Sequence, residues 1–296
     1  MSEVSTSGMK PGMRKLSMYL FIVAALLVAA IPSVAGAQTP PPDTTIPAPA
    51  PVVIHLGKTP VFELFDGGGG LPYLGSATSY NAGDWEPALR NFHDSGVYDT
   101  ELAQIDKIAK AAVLRSVHKG DFRSHKGRFH KSHSRARAAH DGNGHGHGKK
   151  LALVLDIDET SLSNYDAIQK DNFTFGTNSQ REAIDETGVK IQPTLDLFNL
   201  AKQNGVAVFF ITGRRENTRA HTESNLKREG YEGWQQLFLK PDASTETTVQ
   251  YKSGARANIE QQGYRIVANV GDQYSDLAGG HEDVGFKLAN PFYFLP

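Results

Sequence analysis

From position 150 onward, hydrophobic residues follow a pattern of short apolar runs separated by amphipathic segments. The runs predict five strands: LALVLDI (151–157), VAVFFIT (206–212), QQLFL (235–239), YRIVANV (264–270) and VGFKLAN (284–290). Helical periodicity predicts helices around 193–204, from Asn217 to Gly230, and over about 247–261. Continuously apolar strands that alternate with helices are typical of a parallel sheet covered on both faces. We therefore predict an α/β fold with a Rossmann-like parallel sheet over 151–296.

A helical segment is predicted ahead of this sheet. Between Trp85 and Val117, apolar residues recur at three- and four-residue spacing, as at Leu102, Ile105 and Ile108. We assign 80–117 as a helical N-terminal extension of the same domain.

The first 79 residues have the composition of a leader followed by a linker. Basic residues (Lys10, Arg14, Lys15) precede a 16-residue apolar run at 16–31, and the small-residue triplet Ala35-Gly36-Ala37 follows. This order predicts a secretory signal peptide over 1–37 and a location outside the cytoplasm. The alternative is an uncleaved N-terminal anchor. Residues 38–79 are rich in Pro and Gly, which predicts a tether and a loop.

Charge is balanced overall but distributed unevenly. The chain has 31 Lys plus Arg against 32 Asp plus Glu, which excludes a uniformly basic nucleic-acid-binding protein. Without Cys there is no disulfide framework and no thiolate nucleophile. Residues 118–150 contain nine Lys or Arg, two Asp and seven His, with no apolar periodicity. We interpret 118–150 as a disordered basic insert that contacts anionic surface polymers, and metal binding by its His residues is the alternative.

Polar residues gather at the carboxyl ends of the first four predicted strands, where parallel sheets place their ligands. They are Asp156 and Asp158, then Thr212 and Gly213, then Lys240, and finally Asp272 and Asp276. Carboxylates are hard oxygen ligands suited to Mg²⁺, whereas Lys and Thr side chains donate to phosphate oxygens. This combination indicates phosphoryl transfer, with one Asp as nucleophile and a carboxyl two residues on as general acid and base.

Four segments resemble the motifs of the haloacid dehalogenase superfamily. They are LVLDIDETSLSN (153–164), FFITGRRE (209–216), FLK (238–240) and VGDQYSDL (270–277). In detail, DET-x-LSN, ITGR, LKPD and GDQ-x-SDL closely resemble the secreted acid phosphatases of subfamily IIIB. The resemblance covers most of 80–117 and 151–296.

By this resemblance, Asp156 is the nucleophile and Asp158 the general acid and base. The resemblance also implies that Mg²⁺ is held by the Asp156 carboxylate, the Asp158 backbone carbonyl and Asp272.

The same resemblance implies that Thr212, Gly213 and Lys240 bind the phosphoryl group. Asp276 would orient Lys240 or a metal-bound water. The segment 163–192 between the first two motifs is too short for a large cap, so we expect a small or absent cap and an open site.

The implied function is that of an exported, Mg²⁺-dependent phosphomonoesterase that acts through an aspartyl-phosphate on small phosphomonoesters, without specific nucleic-acid recognition. Two alternatives stay open. One is a surface protein that binds polyanions or metals through 118–150 on a weakly active phosphatase scaffold. The other is a phosphotransferase that uses the same site. The sequence does not indicate an oligomeric state.

Overall fold

The computed structural model describes residues 51–64, 85–129, 149–174 and 176–295, all within a compact unit that begins at Thr45. The strands are β1 (Pro51–Leu56), β2 (Thr59–Leu64), β3 (Lys150–Leu155), β4 (Leu162–Ser163), β5 (Val189–Lys190), β6 (Ala207–Arg215), β7 (Gln236–Lys240), β8 (Tyr264–Gly271) and β9 (Gly285–Lys287). The α-helices are α1 (Glu86–Asp94), α2 (Val97–Phe129), α3 (Tyr165–Lys170), α4 (Thr177–Asp185), α5 (Gln192–Gln203), α6 (Arg219–Arg228), α7 (Thr248–Gln261) and α8 (Tyr274–Leu277), and a 3-10 helix spans Glu216–Thr218.

Seven strands form one sheet in the order β1-β2-β9-β8-β3-β6-β7, in which every neighbouring pair except β1 and β2 is parallel. The predicted parallel α/β sheet is therefore confirmed. In β3, successive side chains point to opposite faces because the strand is pleated. Leu153 and Leu155 pack in the core beneath α2 and α5, whereas Ala152 and Val154 pack against α7.

Helices cover both faces for reasons that are visible in the sequence. α7 begins at a capping box, in which the Thr247 hydroxyl accepts from the Gln250 backbone and the Gln250 side chain accepts from Thr247 in return. α5 has a proline at its first turn, where a missing backbone N–H costs nothing. Among the described residues, no helix is both long and apolar enough to cross a bilayer, and the apolar run at 16–31 lies outside them.

The predicted tether over 38–79 is wrong for 51–64, which form an antiparallel hairpin. Its two-residue turn contains Gly57 at φ 66°, a left-handed conformation that glycine adopts without strain. Val61 is fully buried against the sheet, which provides the burial that a linker lacks. The Pro-rich residues 38–50 and the glycine run at 67–70 lie outside the described residues.

The predicted boundary at Val117 is also wrong, because α2 continues to Phe129. Residues 118–129 contain no proline, so backbone hydrogen bonding extends the helix although the apolar periodicity has ended. The rest of the predicted insert, 130–148, lies outside the described residues.

The segment between the first two motifs forms a small cap, as expected. It consists of α3, α4 and the two-stranded ribbon of β4 and β5.

Candidate active site

Three carboxylates meet at the carboxyl end of the sheet. Asp156 follows β3, Asp272 follows β8 and Asp276 lies in α8, and one oxygen of each lies within 4.8 Å of the others. All three side chains are buried. A cluster of buried hard oxygen ligands fits a divalent cation, because the cation would offset the repulsion among these carboxylates.

Asp272 is held in place by neutral donors. The Thr160 hydroxyl donates to Oδ1 at 3.2 Å, and the side-chain amides of Gln273 and Asn290 each donate to Oδ2 at 2.7 Å. Burial, together with the charge of Asp276, raises the pKa of Asp272 to about 6. The donors fix the orientation of this carboxylate, which preorganises it as a ligand.

The lysine at the centre of the site is Lys252, from α7. Its ammonium donates to Asp156 Oδ1 and Asp276 Oδ1, both at 2.6 Å. Burial lowers the pKa of Lys252, but the two carboxylates outweigh burial and hold the pKa above its usual value. Lys252 is therefore a permanent cation beside the candidate nucleophile.

The predicted phosphate ligand Lys240 has a different hydrogen-bond partner from Lys252. It lines the same cleft from the end of β7, but its ammonium donates to the backbone carbonyl of Glu246. The predicted contact between Asp276 and Lys240 is wrong, because the lysine that donates to Asp276 is Lys252. The alternative role of Asp276, orienting a metal-bound water, stays a prediction.

The strand-end rule missed Lys252 because this residue lies on a helix. One signal was available. Lys252 and Arg256 fall four residues apart on the same helical face as the apolar Ala255 and Ile259, and all four are buried. Charged residues on the apolar face of a helix require buried partners.

Asp158 lines the same cleft but is not one of the three clustered carboxylates, and two side chains donate to it. Arg214 contacts its Oδ1 through Nε at 3.0 Å and Nη2 at 2.6 Å, and the Asn164 amide donates at 2.9 Å. Burial would raise the pKa of Asp158, but the charge and hydrogen bonds of Arg214 outweigh it and lower the pKa. Sequence reasoning missed both Arg214 and Asn164 as partners, although each lies inside a recognised motif.

Thr212 and Gly213, whose role as phosphate ligands stays a prediction, lie at the end of β6. Thr212 is fully buried and its hydroxyl accepts from the Arg214 backbone at 3.1 Å. Gly213 is exposed, and no atom lies within 4 Å of where its Cβ would be. A ligand can therefore approach this backbone closely.

A cleft of about 740 Å³ lies between the sheet edge, the small cap and the C-terminal segment, and it is lined by Asp156, Asp158, Gly213, Arg214, Lys240, Lys252, Asp272 and Asp276. Phe173 and Glu182 contribute from the cap, and Tyr293 contributes from the C-terminal side. Burial, reinforced by the charge of Asp158, raises the pKa of Glu182 to about 10. Burial likewise raises the pKa of Glu159 to about 8, and Tyr293 donates to this carboxyl at 2.8 Å.

Known proteins are similar to this chain in sequence or in fold. The family model described as HAD superfamily, subfamily IIIB (acid phosphatase) matches residues 93–296. A stem 28 kDa glycoprotein of Glycine max is 39% identical over 150 residues, which is 48% of this chain and 59% of that protein. Acid phosphatase 1 of Solanum lycopersicum is 34% identical over 148 residues, 48% of this chain and 58% of that protein. The matched region thus spans less than two thirds of these relatives' length.

Among solved structures, the class C acid phosphatase from Bacillus anthracis superimposes with a TM-score of 0.54 at 17% identity, over 72% of this chain and 86% of that one. At this identity the likeness shows the fold alone. The family model covers well over half of the chain, and the matched residues include all the carboxylates and basic residues of the site described above. The chain therefore belongs to subfamily IIIB of the haloacid dehalogenase superfamily, the acid phosphatase family.

Proposed function

We propose that this protein is a Mg²⁺-dependent acid phosphatase that hydrolyses small phosphomonoesters through a phosphorylated Asp156. One observation carries the proposal. The buried Asp156 carboxylate lies 2.6 Å from the Lys252 ammonium, and one of its oxygens lies within 4.8 Å of carboxylate oxygens of Asp272 and Asp276, at the wall of an open cleft. A nucleophile, a fixed cation and a divalent-metal site in one place are the requirements of phosphoryl transfer.

In the first step, an Asp156 carboxylate oxygen attacks phosphorus and the bond from phosphorus to the ester oxygen breaks. The departing ester oxygen takes a proton from Asp158, and the organic group leaves as an alcohol. In the second step, Asp158 removes a proton from water, the water oxygen attacks phosphorus, and Asp156 is released with inorganic phosphate. Asp158 ends the cycle protonated, as it began.

Asp156, Asp272 and Asp276 would hold the cation, together with the Asp158 backbone carbonyl that the family implies. When bound, Mg²⁺ offsets the charge of the phosphate dianion and of the carboxylates around it. Lys252 provides a second positive charge against the phosphoryl oxygens, and Thr212 with the Gly213 backbone supplies neutral donors.

Arg214 sets the protonation state of Asp158. Because Arg214 lowers the pKa of the Asp158 carboxyl, this carboxyl is ionised at neutral pH. It must take up a proton before it can act as an acid. This requirement favours turnover at acid pH, which agrees with the family's description.

We also propose export, because the order of basic residues, apolar run and small-residue triplet in 1–37 is that of a secretory signal. The measurement is fractionation of cells that express the full chain. Activity confined to the cytoplasmic fraction would contradict export without affecting the phosphatase assignment.

The phosphatase proposal is tested with the purified full chain and an aryl phosphate. We expect phosphate release in Mg²⁺, loss of release in excess EDTA, and recovery when Mg²⁺ is restored. Release that is unaffected by EDTA would contradict the metal site, and no release under any condition would contradict the activity.

A further inference from the structure

The β1–β2 hairpin lies outside the residues 93–296 that the family model matches, yet it is joined to the strand beside the carboxylate cluster. β2 pairs in parallel with β9, which places Glu63 opposite Lys287. Lys287 in turn lies opposite Gly271 at the end of β8, one residue before Asp272. A single strand, β9, therefore separates the hairpin from the end of β8, after which Asp272 follows.

Glu63 makes a direct contact with that segment. Glu63 is only 7% exposed, and its carboxylate accepts a hydrogen bond from the Tyr274 hydroxyl at 2.5 Å. Tyr274 lies midway between Asp272 and Asp276 in the sequence. The hydrogen bond is part-buried, because Tyr274 is 41% exposed, and its charged acceptor makes it a strong tether for the backbone that carries both carboxylates.

Lys287 interacts electrostatically with Glu63 and with the segment 272–276. Its ammonium lies 5.3 Å from the centroid of the Tyr274 ring. Burial lowers the pKa of Lys287, whereas the charges of Asp272, Asp276 and Glu63 oppose that effect. The ammonium donates to the Leu288 backbone carbonyl at 2.8 Å, and its charge is attracted to Asp272, Asp276 and Glu63. Glu63 therefore offsets part of a positive charge close to the carboxylate cluster.

We propose that Glu63 is a positioning residue for the divalent cation: through Tyr274 it fixes the segment 272–276, and its charge offsets that of Lys287. The inference rests on the proposed metal site. Removing groups that orient metal ligands from outside the ligand shell typically weakens metal binding by about 10- to 100-fold. Because Glu63 acts through one intermediate residue, we expect about tenfold, at the low end of that range.

The test is calorimetric titration of the full chain with Mg²⁺. We expect Glu63→Ala to raise the dissociation constant about tenfold and Tyr274→Phe to raise it by less, because only Glu63→Ala also removes the charge that offsets Lys287. The double variant should match Glu63→Ala, because both substitutions break one shared hydrogen bond. Glu63→Gln keeps a carbonyl acceptor for Tyr274 and should lose less than Glu63→Ala. Glu232→Ala, an exposed acid in the loop before β7, is the matched control and should bind Mg²⁺ as the wild type does.

The melting temperature in EDTA separates a positioning role from a structural one. We expect it to change little in Tyr274→Phe, while the rise in melting temperature on adding Mg²⁺ becomes smaller. Wild-type affinity in both single variants, or a double variant that loses the product of the two single losses, would overturn the role of Glu63. A wild-type protein that binds no Mg²⁺ would instead overturn the metal site, and with it both proposals.

Discussion

At the residue scale, the two lysines of the cleft differ in what their ammonium groups contact. Lys252 bridges Asp156 and Asp276, whereas Lys240 is directed to the Glu246 carbonyl. A phosphoryl group that reaches Asp156 would therefore lie beside the charge of Lys252. The sequence around Lys240 resembles the third motif of the superfamily. The lysine that contacts Asp156 is nevertheless Lys252, on the following helix α7.

Substituting the two lysines in turn tests this difference. We expect Lys252→Met to lower kcat by roughly 10²-fold or more, the range observed when a transition-state donor is removed. Lys240→Met should cost less than about tenfold, since its ammonium is not directed at the reacting groups. The measurement is kcat at saturating Mg²⁺, with melting temperatures to confirm folding. A larger loss in Lys240→Met would show that Lys240 is the phosphate ligand after all.

Arg214 gives a prediction about pH. Since Arg214 lowers the pKa of Asp158, removing the guanidinium should raise that pKa. The protonated acid would then persist to higher pH, so the alkaline limb of the kcat/KM profile should move upward in Arg214→Gln, whatever happens to the absolute rate. The profile is measured from pH 4 to 9 with Lys227→Gln, an exposed helix lysine, as the control. A limb that stays in place or moves to lower pH would be incompatible with this role.

At the element scale, α2 contains a buried carboxyl that the chemistry does not use. Asp106 is completely buried, its Oδ2 accepts from the Thr194 hydroxyl at 3.0 Å, and its Oδ1 has no partner. Burial raises the pKa of Asp106 to about 7. A carboxyl with a raised pKa in the folded state stabilises the fold at low pH, and this contribution is lost as pH rises from about 4 through 7.

Asp106→Asn should therefore stabilise the protein only where the acid is ionised. One pKa unit corresponds to about 1.4 kcal/mol, so a rise from 3.8 to about 7 sets an upper limit of about 4 kcal/mol. We expect a higher melting temperature than wild type at pH 8 and little difference at pH 4. Asp99→Asn, exposed on the same helix, should show neither effect. An equal gain at both pH values would point to packing instead of ionisation.

The β1–β2 hairpin itself could have been predicted from the sequence, but its position in the sheet could not. VVIHL and TPVFEL flank the turn Gly57-Lys58 with apolar residues, which is a hairpin pattern. The surrounding Pro- and Gly-rich composition obscured it. Its place beside β9 could not be predicted, because pairing between strands more than 200 residues apart depends on the assembled sheet.

At the scale of the whole molecule, the core was predictable because its strands are buried on both faces. Such strands appear as uninterrupted apolar runs, so β3, β6, β7 and β8 coincide closely with their predictions. The parallel order then brought Asp156 and Asp272 together as expected. Partners supplied from helix faces, such as Lys252, have no strand-end signal and required the tertiary structure.

The most direct test of the central claim is the kcat of Asp156→Asn, compared with Asp166→Asn, an exposed carboxylate on α3 outside the cleft. An amide cannot serve as the attacking oxygen, so we expect a loss of roughly 10³-fold or more for Asp156→Asn and wild-type turnover for Asp166→Asn. Turnover by Asp156→Asn at the wild-type rate would contradict the assignment of Asp156 as nucleophile.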